Sequence, residues 1–143
     1  MKHNDIVDIG YKWLKKHCAF AFKEMKTLNA EIPDVIGFKG DFSFIIEAKT
    51  SRADFLADKK KPFRLNPSIG MGDFRFFIAP LNMIGISELP EGWGLIEVEG
   101  FKIVNVHNPF GKGNIYSNWI KNKKNNQAER YVMYSALRRI YNN

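Results

Sequence analysis

A chain of 143 residues, nearly half of them apolar and twelve of them phenylalanine, is long enough to bury a real core and too apolar to be disordered. Its net charge of +7 is concentrated late, where residues 113–143 hold Lys121, Lys123, Lys124, Arg130, Arg138 and Arg139 against Glu129 alone, so a polyanionic partner is expected, nucleic acid ahead of an anionic membrane. Cys18 is the only cysteine, which excludes an intramolecular disulfide and a cysteine metal site, and no apolar run is long enough to span a bilayer.

Asn4 or Asp5 is the expected cap of a first helix reaching about His17, with Ile6, Ile9, Trp13 and Leu14 as its buried stripe. Lys12, Lys15 and Lys16 crowd its last turns, where the helix dipole favours cations. With Asp5 and Asp8 they interrupt every apolar run near the N-terminus. No secretion signal is read there, and a reducing, cytoplasmic compartment is expected. Residues 19–25 read as a first strand. Glu24, near its end, is on spacing alone a solvated strand-end acid.

The stretch 31–61 carries the chemistry. Phe42, Phe44, Ile46 and Ala48 alternate with Ser43, Ile45, Glu47 and Lys49, the period of a strand, which puts Glu47 and Lys49 on one face. Residues 32–38 are apolar and β-branched, and Lys39-Gly40-Asp41 is a turn signal. A two-residue Gly40-Asp41 loop pairs Lys39 with Phe42 and, further along, sets Asp34 opposite Glu47. A three-residue loop would send the two acids to opposite faces. The tight loop suits Gly-Asp better. Opposed Cβ atoms lie roughly 4.5–5.5 Å apart, so two carboxylates there repel unless a cation joins them. Hard ions such as Mg²⁺ use one or two carboxylates and fill their shell with water and phosphate. Lys49 beside them could orient water or neutralise charge on a phosphate. The plainer alternative is a surface ion pair of Glu47 with Lys49 next to an unrelated Asp34.

Ser51 followed by Asp54 starts a second helix running to about Lys60, with Phe55 and Leu56 packed on the sheet. Asp54 reads as part of the cap and Asp58 as an ion-pair partner of nearby bases. Arg52, Lys59, Lys60 and Lys61 are available to phosphate or to solvent. Residues 62–72 read as a loop. Residues 74–79 form a central strand with Arg75 its only charge. Residues 93–99 and 101–107 form a second hairpin around Gly100, and His107 ends it. Residues 110–118 form a glycine-bearing loop without phosphate-loop spacing, and 122–126 a basic linker. A last helix runs from about Gln127 to Tyr141. One stripe holds Tyr131, Tyr134, Leu137 and Tyr141, and an adjacent one Val132, Ala136 and Ile140. The tyrosines read as core, with base stacking beside Arg138 and Arg139 as the alternative.

Pro33-Asp34 followed by Glu47-Ala48-Lys49 resembles the PD-(D/E)XK nuclease motif. The segments 51–59, 72–80 and 89–96 resemble, in the same order, the MmcB-like DNA-repair nuclease proteins, and the resemblance covers roughly residues 24–106. It implies an α/β fold with a restriction-endonuclease-like core, a mixed β-sheet flanked by helices. The expected organisation is one nuclease-like domain over 1–143 with 122–143 as a basic helical extension. The implied activity is Mg²⁺- or Mn²⁺-dependent hydrolysis of DNA. Asp34, Glu47 and the Ala48 carbonyl would hold the ion, Glu24 is open as a further carboxylate, and Lys49 would serve the attacking water. Arg52, Lys59, Lys60, Lys61, Arg138 and Arg139 are the expected nucleic-acid contacts, DNA ahead of RNA. A homodimer or protein partner is left open. The rival reading is a nucleic-acid-binding module of the same fold without catalysis, or a subunit that needs a partner.

Overall fold

A computed structural model describes residues 1–25, 31–109 and 123–143. The expectation for residues 110–118 falls outside them. The elements are α1 (His3–His17), β1 (Phe20–Lys23), β2 (Val35–Lys39), β3 (Phe42–Ala48), α2 (Arg52–Asp58), α3 (Pro62–Leu65), β4 (Phe74–Pro80), β5 (Trp93–Glu99), β6 (Lys102–His107) and α4 (Asn126–Tyr141). The strands form one six-stranded sheet in chain order, β1-β2-β3-β4-β5-β6. The middle pairs β3–β4 and β4–β5 are parallel and the outer pairs antiparallel. This is the expected α/β fold, a mixed sheet flanked by helices.

Strand alternation sorts the core into two layers. Val35, Phe44, Ile46, Phe76 and Ile96 share one layer with Ile6 and Leu14 of α1. Ile36, Ile45, Phe77 and Leu95 share the other with Phe55 of α2 and with Ala128, Val132 and Ala136 of α4. The last helix is therefore built into the core of the sheet's second face. It buries its small residues because the strands beneath present bulky ones. Tyr134, Leu137, Ile140 and Tyr141 stay exposed, so the tyrosine stripe is not core and Ile140 does not follow Val132 and Ala136 inward.

Several boundaries differ from expectation for local reasons. Helix α1 starts at His3 with Lys2 as its cap, and Asp5 sits in the first turn, its carboxylate accepting from Lys2 N at 2.9 Å. Strand β2 begins only at Val35, after Pro33, which has no N–H to give a ladder. Residues 62–72 are not a plain loop. Pro62 stands at the first position of α3, where its fixed φ suits a helix start, and Pro67–Ile69 form a 3₁₀ turn. Leu56 faces solvent while Phe55 is buried. The second hairpin turns at Gly100 and Phe101, both at positive φ (58° and 64°), as a two-residue type I′ turn requires.

Candidate functional site

The β2–β3 hairpin has the two-residue Gly40-Asp41 turn, with Gly40 at φ 55°. Its register runs from Lys39↔Phe42 to Val35↔Ile46. Continued one step past the strand, that register brings Asp34, the bend residue just ahead of β2, beside Glu47. Asp34 Oδ2 accepts the Ala48 backbone N–H at 2.8 Å. His3 Nε2, delivered by α1, lies 3.5 Å from the same oxygen. The Asp34 side chain is 16% exposed and marks the open side of the site.

Glu47 and Lys49 point to the α2–α3 side of the sheet, and both are buried. They do not form a simple surface ion pair, the plainer alternative. Lys49 Nζ lies 2.9 Å from Asp58 Oδ1 and 4.0 Å from Asp54 Oδ1. Lys61 Nζ is 3.1 Å from the same Asp58 oxygen. The cation facing Glu47 is Arg64, with Nη2 at 3.7 Å from Oε1. Arg64 also donates from Nε to Asp58 Oδ2 at 2.7 Å and from Nη1 to Glu31 Oε2 at 3.2 Å. Its guanidinium lies over the Trp93 ring, 4.3 Å from the centroid. Glu31 is fixed in turn by the Met71 N–H, 2.7 Å from Oε1.

The expected trio is thus part of a larger cluster, mostly buried, with the acids Glu31, Asp34, Glu47 and Asp58 around the bases Lys49, Lys61 and Arg64. Burial, and then the charge of Asp34, push the Glu47 carboxyl up to about 8, against the pull of Arg64 and Lys61. Burial likewise raises Glu31, with Arg64 and the Met71 N–H opposing. Asp58 goes the other way. Burial would raise it, but Arg64, Lys49 and Lys61 together hold it below the ordinary aspartate value. Glu47 is therefore the acid of this cluster whose environment most favours the neutral form.

A hard divalent cation held here would draw on carboxylate and carbonyl oxygens. Asp34, just ahead of β2, and Glu47, in β3, would offer carboxylate oxygens, and Ala48 ends the same strand as Glu47. Among the described residues no group of three or more His, Cys, Asp or Glu side chains is placed to hold a metal. Glu24, open as a further carboxylate, lies at the β1 end, where its N–H donates to the Asp34 carbonyl at 3.1 Å. It is exposed, at φ 53°, just past the end of β1. Water and phosphate would have to fill the remaining positions.

The expected nucleic-acid contacts separate into two groups. One surrounds α2. There Arg52 is engaged, forming a two-pronged pair with Glu88 (3.0 and 2.7 Å) and donating to the Met83 carbonyl at 2.8 Å. Lys61 is tied to Asp58. Lys59 and Lys60 are exposed at the end of α2, and Lys59 borders a cleft of about 260 Å³ that also reaches Asp58 and Phe77. The other group is Arg138 and Arg139, exposed near the end of α4. Arg139 leans back on Met25 Sδ at 3.4 Å.

Glu31, Asp58 and Arg64 dominate the site, yet the sequence pattern marks only Asp58 as an ion-pair partner. Arg64 falls in a stretch that reads as loop. A signal exists: buried acids on a strand need a buried cation, and Arg64 follows Lys61-Pro62-Phe63 directly. A second buried network joins α4 to the sheet. Glu129 accepts from Ser43 Oγ at 2.8 Å, from Gly72 N at 2.7 Å and from Lys124 Nζ at 2.9 Å. Lys124, expected in a solvated linker, also reaches Asp73 at 2.8 Å.

No family model matches the chain, and no curated protein matches it significantly. Among solved structures it is similar to SPO1766, a protein of unknown function from Silicibacter pomeroyi, at 22% identity and a TM-score of 0.62. The match covers 98% of this chain and 90% of that one. At this identity the likeness carries over the fold and nothing of function.

Proposed function

We propose that the chain is a metal-dependent nuclease that hydrolyses DNA phosphodiesters, in DNA repair or processing. The observation that carries this reading is the opposed Asp34–Glu47 pair, in which the Glu47 carboxyl is desolvated and pushed up to about 8. A buried acid beside a second acid is what a divalent cation would relieve. The sequence resemblance to PD-(D/E)XK nucleases supports the same residues.

In this reading Asp34, Glu47 and the Ala48 carbonyl hold Mg²⁺ or Mn²⁺. The ion, when bound, polarises the phosphodiester and eases ionisation of water. Lys49 supplies a fixed positive charge on the same sheet face, positioned by Asp58 at 2.9 Å. It favours the negative charge that develops on the phosphate and orients the attacking water. The exposed Lys59 and Lys60, with Arg138 and Arg139, attract the backbone. The test is a cleavage assay with Mg²⁺ or Mn²⁺ on single-stranded, duplex and branched DNA. Cleavage is expected from the parent, with a loss of at least about a hundredfold in Glu47→Gln and Lys49→Ala. Equal cleavage by parent and both variants would mean a contaminating nuclease.

One observation favours the non-catalytic alternative. Arg64 and Asp58 already answer much of the charge at Glu47 and Lys49 without any ion. A parent that binds DNA and cleaves none of the substrates would favour a binding module or a subunit awaiting a partner. Binding itself is tested at the basic end of α4. Replacing Arg138 and Arg139 with Ala should lower the salt dependence of duplex binding, by about 0.9 in log–log slope for each phosphate no longer neutralised. An unchanged slope would take α4 out of the interface.

A further inference from the structure

Arg64 is tied down at two of its three nitrogens and left unanswered at the third. Nε meets Asp58 and Nη1 meets Glu31. Nη2 is buried and makes no hydrogen bond among the described residues. The carboxylate it faces, Glu47, stands at 3.7 Å, beyond hydrogen-bond reach. Trp93 beneath the guanidinium and the one-turn helix α3 fix its position. A side chain only 3% exposed is thus held close to Glu47 without closing on it. A buried donor left open is costly. Here it leaves the Glu47 oxygen able to accept another cation.

We propose that Arg64 is the built-in counter-ion of the Asp34–Glu47 pair, and that a divalent cation competes with it for the Glu47 carboxylate. The inference rests on the metal-site reading above and adds to it a residue that sets the site's affinity. With no ion bound, Arg64 keeps the buried acids compatible with the fold. With an ion bound, two cations share Glu47 and repel, so each weakens the other's hold, and the coupling is reciprocal. The site is held ready at the expense of affinity.

The test uses the full chain and Mn²⁺ as probe, with the unbound ion read by its magnetic resonance signal. Arg64→Lys keeps a charge near Asp58 but is too short to serve Glu31, Asp58 and Glu47 together. The double variant Glu31→Gln with Arg64→Gln removes one charge of each sign, so at least one of the two should fold. The folded variants should bind Mn²⁺ at least about fivefold more tightly than the parent. In the parent, the Arg64 side-chain N–H signals, identified by their absence from Arg64→Lys, should move when Mg²⁺ is added. If the variants bind as the parent does while Glu47→Gln abolishes binding, Arg64 is a packing residue and the metal site survives without it. If Glu47→Gln binds like the parent, or no folded chain binds, the metal reading itself fails and this inference falls with it.

Discussion

Glu47→Gln should make the metal-free protein more stable at alkaline pH than its parent. The sign follows from the raised carboxyl. A group whose folded value is lifted to about 8 from the ordinary 4.5 contributes stability fully present below about 4.5 and lost as pH rises through about 8. Each pH unit of displacement is worth about 1.4 kcal/mol, so the parent should lose a few kcal/mol across that window. The glutamine variant keeps the shape, carries no charge and should lack this component of the pH dependence. Above pH 8 the gap should be largest, and near pH 4 it should nearly close. Adding Mg²⁺ above pH 8 should restore the parent by RT ln(1 + [L]/Kd), about 2.7 kcal/mol at a hundredfold excess over Kd, and leave the variant unchanged. Urea melts at pH 5, 7 and 9 with and without Mg²⁺ read all of this. Parallel curves for parent and variant would mean that Arg64 and Lys61 fully compensate Glu47 and that no cation is called for.

Glu129→Ala should be among the most damaging substitutions in the chain. It removes the acceptor of three donors, Ser43 Oγ, Gly72 N and Lys124 Nζ, from a buried layer between α4 and the sheet. Breaking a buried ion pair from one side costs about 3–5 kcal/mol, and the orphaned Gly72 N–H adds to it. That is a large fraction of the stability of a small domain. Glu129→Gln, which can still accept from Gly72 or Ser43, should lose less. Thermal melts of the two variants check the order. If Ala is no worse than Gln, Lys124 and Asp73 close the network between themselves.

Strand chemistry is legible where alternation and turn type both speak. The hairpin register, and with it Asp34 against Glu47, follows from 42–48 and Gly40-Asp41 alone, because a period of two leaves only one other face. The partners of Lys49 and Glu47 are not legible in this way. Periodicity tells which face a side chain takes and says nothing of what crosses over it. Asp58 and Arg64 arrive from α2 and α3, and α3 is a single turn with no period to read. The last helix fails differently. Its two apolar stripes are both real, and choosing between them needs the surface beneath. Ala128, Val132 and Ala136 pack there among phenylalanine and isoleucine side chains, while Tyr131, Tyr134 and Tyr141 stay exposed. Lys124 looks like an ordinary solvated charge because nothing local marks a residue whose partners Ser43 and Asp73 lie 81 and 51 positions away.

The place of α4 in the core bears on how the chain is made. Ribosomes deliver it from the N-terminus, so α1 can cover its face of the sheet as soon as the central strands pair. The opposite face has to wait. The rest of its cover, beyond Phe55 of α2, comes from residues 128–136, and the ion network that seats them needs Lys124 and Glu129. Until then the apolar face that holds Ile36, Ile45, Phe77 and Leu95 is only partly covered on a nascent chain, with Phe55 of α2 against Phe77. Such surfaces recruit chaperones or each other. Newly made chains stalled before residue 124 should therefore be the aggregation-prone species, and release of the last helix from the ribosome the step that ends the hazard.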